Sequence, residues 1–297
     1  MNRKMIKGIA VTLLAGTCWG FSGTCGQFLF QSKNIPTDFI TCVRMLTAGL
    51  ILTMLLVIKE GRAGFSIVKN RRDMLFCALF AVAGVLCSQY TYLQAIAYSN
   101  AGTGTILQYV GPVLIMLAAC LLERRRPSGK EVTALLLAVL GVWISATHGD
   151  FSSMAISGKA LAWGLASAVA LVFYTMAPEK IIHRYGSLSV TAFAMLIGGA
   201  VMLCFSRPWR YQIAWDAGTV LAMLFMIVFG TAVAYTMYLQ GVKLLGSVKG
   251  SLCSCIEPVS ATLFAALWLD TKFGAAEIIG FVCILSTVVL LALDKEK

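Results

Sequence analysis

The stretch GVLCSQYTYLQ, residues 84–94, returns in altered form as GTAVAYTMYLQ at residues 230–240. A shift of 146 residues places Gly84 on Gly230, Tyr92 on Tyr238 and Gln94 on Gln240. Carried outward, the same shift places Pro112 on Pro258 and Glu131 on Glu277, and a shift of 144 places Trp19-Gly20 on Trp163-Gly164. Apolar sequence can match itself by chance. Five identities at one offset, among them a proline and polar residues inside apolar runs, argue instead for an internal repeat across most of the chain.

The runs around these positions are too apolar for a soluble core. Of 297 residues, 59% are hydrophobic and 12% charged, where soluble domains carry roughly 45–50% and about 25%. A bilayer core about 30 Å thick takes about 20 apolar residues per helix. Stretches of that length predict helices at residues 8–30, 37–58, 74–98, 101–122, 132–148, 159–182, 187–205, 217–241, 247–269 and 274–293. The expected fold is an all-α integral membrane protein of ten transmembrane helices. Short connections predict that consecutive helices are antiparallel neighbours. Five helices per half is an odd number, so the second half enters the membrane from the opposite side. The domains are then two inverted five-helix repeats, residues 1–147 and 159–293, joined near His148–Gly158. Such repeats are typical of secondary transporters, with the substrate site near the midplane.

The net charge of +11 raises a nucleic-acid partner. That function needs a basic patch, whereas the basic residues here sit in short loops. With the N-terminus inside, 18 Lys and Arg fall on inner segments, including Arg71, Arg72 and the Arg124-Arg125-Arg126 run, against five on outer segments. Lys295 and Lys297 count among the inner ones. This bias predicts both termini in the cytoplasm of a cell-membrane protein, bacterial inner or plasma membrane. The basic start followed by an apolar run looks like a signal peptide, but the run continues to about Phe30 and reads as an uncleaved first helix.

All ten cysteines lie inside apolar segments and read as small buried hydrophobes. No CxxC pair occurs, and His148 and His183 are the only histidines, so no metal site is expected. No phosphate-cradling loop or Ser/His/Asp set stands out, so neither a cofactor nor enzyme activity is expected.

The order Ala101-Gly102-Thr103-Gly104-Thr105, Pro112, Leu122-Glu123-Arg124 and Gly141, repeated as Gly246-Ser247, Glu257-Pro258, Leu269-Asp270 and Gly280, resembles the EamA-type repeat of the drug/metabolite transporter superfamily. Trp19-Gly20 fits the same pattern. Asp270 departs from it, since the family usually has Glu there. The resemblance implies a ten-helix carrier, usually an exporter of metabolites such as amino acids. Related members carry nucleotide sugars, cofactors or organic cations. It also implies that helices one to four and six to nine line a central cavity, with the fifth and tenth outside.

Polar residues within the apolar runs supply the candidate site. Glu257 lies about ten residues into its helix, where an ionised carboxylate is costly and usually faces a cavity or partner. It could bind a proton, a cation or an ammonium group, or serve packing. Pro258 beside it clashes with the carbonyl of Ser254 and frees backbone polarity. Arg44 sits about seven residues into its helix, roughly 10 Å deep at about 1.5 Å per residue. It reads as a snorkelling or structural Arg, as a binder of a substrate carboxylate, or as counter-ion to Glu257. Gln89 and Tyr92 share a helix face, and their repeat mates are Tyr235 and Tyr238. They read as cavity lining or as interfacial aromatics, and aromatic walls suit a cationic group. Gln108, Tyr109, Tyr174 and Trp19 are further candidates, Trp19 equally readable as packing. Gly102, Gly104, Gly246, Ser247, Gly250, Ser251 and Ser254 form small-residue faces for close packing or for sliding.

The expected function is a secondary transporter of small metabolites, amino acids or related compounds, working by alternating access, with efflux the expected direction. A proton-coupled drug or organic-cation transporter is the alternative, and a membrane enzyme or scaffold the reading from another class. The expected partners are a small-molecule substrate, the lipid bilayer and protons as a candidate coupling ion, in a monomer or weak dimer.

Overall fold

A computed structural model describes residues 3–148 and 155–292. Most of the expected junction between the halves, and Lys295 and Lys297 at the end, lie outside the described residues. Among the described residues the regular structure is all helical. Nine helical spans are long and apolar enough to cross a membrane: Lys4–Gln31, Thr37–Lys69, Arg71–Ala97, Ala101–Leu122, Gly129–Thr147, Gly158–Met176, Ser187–Ser206, Ala217–Leu245 and Lys249–Leu269. They are called here the first to ninth spans. A final helix covers Ala275–Ala292.

Local chemistry sets the ends. Asn100, Ser128, Ser157 and Asp216 each accept a hydrogen bond from a backbone N–H of the first turn that follows, which satisfies donors a helix start leaves open. Ser128 and Glu131 cap each other reciprocally, and Arg125 holds the Glu131 carboxylate with two bonds of 2.8 Å. Asp270 ends the ninth span in a left-handed conformation. The sixth span stops at Met176 rather than running to residue 182. Pro178 turns the chain into a separate short helix, Glu179–Tyr185.

The spans are also less regular than their hydropathy. The fourth is two half-helices, Ala101–Gln108 and Gly111–Leu122, separated at Tyr109-Val110. The ninth is likewise two, Ser247–Cys253 and Ile256–Leu269, separated at Ser254-Cys255. Pro112 and Pro258 each stand just inside the second half-helix, where a missing N–H is tolerated. The third and eighth spans carry π-helical turns at Phe80–Leu86 and Val228–Val233.

Sequence neighbours are not the closest partners. The first span packs along the eighth and ninth, the second along the seventh, the third along the sixth, and the fifth along the final helix. Each of these pairings joins residues before 148 to residues after 155, so the halves interlock. The first and second spans, though joined by a short loop, barely touch. The fifth span and the final helix approach closely at two glycines. A Cβ on Gly141 would lie 2.9 Å from the Gly280 carbonyl oxygen, and one on Gly280 would lie 2.8 Å from that of Gly141. All ten cysteines are unpaired, but Cys87 and Cys204 are exposed on the bundle surface rather than buried.

Candidate functional site

Seven spans meet at one cavity of about 30 Å³, room for roughly two water molecules. Trp19 and Ser22 reach it from the first span, Arg44 from the second, Ser88 and Tyr92 from the third, and Gln108 and Tyr109 from the fourth. Leu171 and Tyr174 come from the sixth, Tyr235 from the eighth, and Ser254 and Glu257 from the ninth. The seventh span, expected to line it, stands behind the third. Met195 of the seventh span accepts a 3.3 Å contact from the Gln89 amide there, so Gln89 is turned away from the cavity.

The helix breaks place the carboxyl group. Glu257 sits in the first turn of Ile256–Leu269, 4% exposed. A helix start presents unpaired N–H groups and the positive end of the helix dipole, a favourable place for negative charge. Tyr109 lies in the opposite break. Its hydroxyl donates to the Ser254 carbonyl and lies 3.1 Å from Ser254 Oγ and 3.3 Å from Glu257 Oε2. The two interrupted spans therefore meet break to break.

A π-turn places the cation. Thr231 donates its hydroxyl proton five residues back, to the Met226 carbonyl at 2.6 Å, and its oxygen accepts from Arg44 Nε at 3.0 Å. Arg44 Nη2 makes a longer 3.5 Å contact to the Gly230 carbonyl. Arg44 is 3% exposed. Among the described residues it forms no ion pair, with Glu257 or with any other carboxylate. A buried guanidinium and a buried carboxyl group thus share one cavity without touching.

Aromatic rings close one side. Trp19 lies 5.1 Å from Tyr235 and 5.0 Å from Tyr238, centroid to centroid. Tyr174 lies 5.3 Å from Tyr235 and stacks on Tyr238 and Phe80. The Tyr238 hydroxyl is engaged by Thr175 at 2.9 Å, and this ring backs the wall instead of facing the cavity. Tyr92 bonds Thr105 at 2.8 Å, and Thr105 in turn donates to the Ala101 carbonyl. Trp19 Nε1 and the Tyr174 hydroxyl are buried with no hydrogen-bond partner among the described residues.

Both ends of the bundle are tied across the halves. At one end Lys33 pairs with Asp216, and Gln27 accepts from the Ala101 N–H at 2.8 Å while donating to Thr271 Oγ1 at 2.9 Å. The Lys33 ammonium, with the Thr219 N–H, holds the exposed Asp216 carboxyl down at about 2. At the other end Asp73 accepts from Arg184 at 2.8 Å and from the Tyr185 hydroxyl at 2.6 Å.

The sequence profile of the EamA-like transporter family matches residues 6–147 and, separately, 158–293. The chain belongs to that family. It is 38% identical over 291 residues to the "Uncharacterized inner membrane transporter YicL" of Salmonella typhimurium, covering 98% of this chain and 97% of that one. It is 23% identical to the "Uncharacterized transporter YetK" of Bacillus subtilis, covering 94% and 84%. A solved crystal structure at 16% identity shares the fold, with a TM-score of 0.69 over 96% of each chain. The protein is therefore a multi-pass membrane transporter of the EamA-like family.

Within this EamA-like chain, eight of the ten candidate residues line the cavity, and Gln89 and Tyr238 do not. Ser22, Ser88, Leu171 and Ser254 line it without having been singled out for it. For two of them the signal was present: Ser22 stands three residues after Trp19 and Ser88 four before Tyr92, so each shares a helix face with a candidate. Gly102 and Gly104 pack against Phe273 and Ile96, which is close packing away from the cavity. Among the described residues no cluster of His, Cys, Asp and Glu could hold a metal ion.

Proposed function

We propose that this chain is a secondary transporter that exports small metabolites, amino acids or related compounds, by alternating access. The observation that carries the reading is that Arg44 and Glu257 line one small cavity with no ion pair to either among the described residues. A buried charge without a partner is costly, and a zwitterion offers both partners at once. Arg44 would hold the carboxylate, and Glu257 would take the ammonium group or a coupling proton. A cavity of about 30 Å³ is too small for an amino acid. Loading then requires one set of ties to open, at the Lys33–Asp216 end or at the Asp73–Arg184 end, while the other stays closed.

The wider architecture follows the same reading. The 18 residues of Ala275–Ala292 reach about 27 Å at about 1.5 Å each, enough for a tenth span. With a tenth span, the loop-charge bias supports both termini in the cytoplasm, and the reading is of two inverted halves, 1–147 and 159–293, in a bacterial inner or plasma membrane, as a monomer or weak dimer. The second reading is an organic-cation exporter, favoured by the Trp19, Tyr174 and Tyr235 rings beside the carboxyl group.

Proteoliposomes loaded with an amino-acid panel test the main reading. Efflux of at least one amino acid that falls in Glu257→Gln supports it. Unchanged rate and pH dependence in that variant would remove the carboxyl group from the mechanism. Protection of growing cells against toxic cations, with no amino-acid flux, would select the second reading.

A further inference from the structure

Two buried polar groups on the cavity lack a hydrogen-bond partner among the described residues. Arg44 engages Thr231 through Nε, and among the described residues its Nη groups meet only one long backbone contact. Trp19 Nε1 is buried and unpartnered, and an indole nitrogen can only donate. The Tyr174 hydroxyl is also buried and unpartnered. Both residues line the cavity, and they are 8% and 1% exposed. Both touch the Tyr235 ring, at 5.1 Å and 5.3 Å between centroids, so the two idle donors border one aromatic corner.

Resting on the amino-acid reading above, we infer that the preferred substrate is a small amino acid whose side chain ends in a neutral oxygen acceptor, a hydroxyl or a carboxamide. The α-carboxylate answers Arg44 and the α-ammonium answers Glu257. That leaves the Trp19 N–H and the Tyr174 O–H for the side chain. Before substrate binds, water can satisfy both donors. A ligand group that displaces ordered water without replacing its hydrogen bonds loses affinity, so an aliphatic side chain is rejected. Charge sets the other limit. Arg44, Glu257 and the zwitterion already balance, so a side-chain carboxylate would bring a buried charge with only two neutral donors to meet it. A cationic side chain would likewise bring a buried charge with no further carboxylate to meet it.

Matched isosteres provide the test. Threonine and valine have nearly the same shape, as do asparagine and leucine. Counterflow of each pair is measured in proteoliposomes holding the purified full-length protein, with thermal shift as a second readout. The wild type should favour the oxygen-bearing member by at least about tenfold, the order expected when a buried donor is left unpaired. In Trp19→Phe that ratio should fall toward one. Tyr174→Phe, which removes a single oxygen, carries the same expectation and serves where Trp19→Phe fails to fold. Equal handling of threonine and valine by the wild type, or an undiminished ratio in a folded variant, overturns this inference and leaves amino-acid transport standing. A protein that moves and binds neither member of any pair, and no other amino acid, overturns the amino-acid reading and this inference with it.

Discussion

The break in the fourth span and the break in the ninth use the same parts to opposite effect. Each has a two-residue interruption, and each has a proline just inside the second half-helix, Pro112 in one and Pro258 in the other. The residue before the proline differs. In the ninth span it is Glu257, facing the cavity; in the fourth it is Gly111, where a Cβ would lie 2.7 Å from Leu171 Cδ2. One break makes room for a carboxyl group, and the other is filled by a neighbouring leucine. The break is present in both halves, and the carboxyl group is present in one.

The largest effect should come from erasing that difference. Glu257→Gln keeps the shape and removes the charge, and transport should fall at least about tenfold, the scale of a lost charged hydrogen bond. Wild-type flux in this variant would make the two breaks equivalent in function. Arg44→Lys comes next. A point charge does not reproduce a guanidinium that bonds Thr231 through Nε and turns its other nitrogens to the cavity. Flux should drop about fivefold, one hydrogen bond's worth, with the loss in apparent affinity for the substrate carboxylate. Full activity would show that charge alone suffices there.

Gly111→Ala probes the quiet break. Overpacking against Leu171 should cost about 1–3 kcal/mol of stability, read as a lower melting temperature in detergent. Leu171→Ala in the same chain should recover part of it. No shift in melting would mean that the sixth span yields freely at this point.

The smallest effect belongs to the tie between the halves at the Lys33–Asp216 end. The Asp216 carboxyl is held at about 2, below its ordinary 3.8. A lowered acid pKa contributes stability that is fully present above 3.8 and disappears as pH falls through about 2. The melting-temperature gap between wild type and Asp216→Asn should therefore close over that window. A gap that stays constant down to the lower limit would contradict the pairing.

How far the sequence carried the structure depends on which signal each feature leaves. The spans were legible because hydropathy over about 20 residues is a coarse and robust property. The breaks were not, because the residues at both, Tyr109-Val110 and Ser254-Cys255, are as apolar or small as their surroundings. Only Pro112 and Pro258 hinted at them. The pairing of spans across the halves was invisible, since loop length reports sequence neighbours and not packing partners. At the site, Glu257 and Arg44 stood out because charge is rare in a membrane span. Gln89 shares a helix face with Tyr92, and Tyr238 with Tyr235. A shared face does not fix a side chain's target, and these two found Met195 and Thr175 instead.

The contact of Gly141 with Gly280 has a mechanical consequence. Where two backbones already touch, nothing compressible lies between them, and a side chain on either would have to push the helices apart. Neither the fifth span nor the final helix lends a residue to the cavity. Such a pair cannot be pressed closer together, so the separation of these two helices is fixed at the glycines.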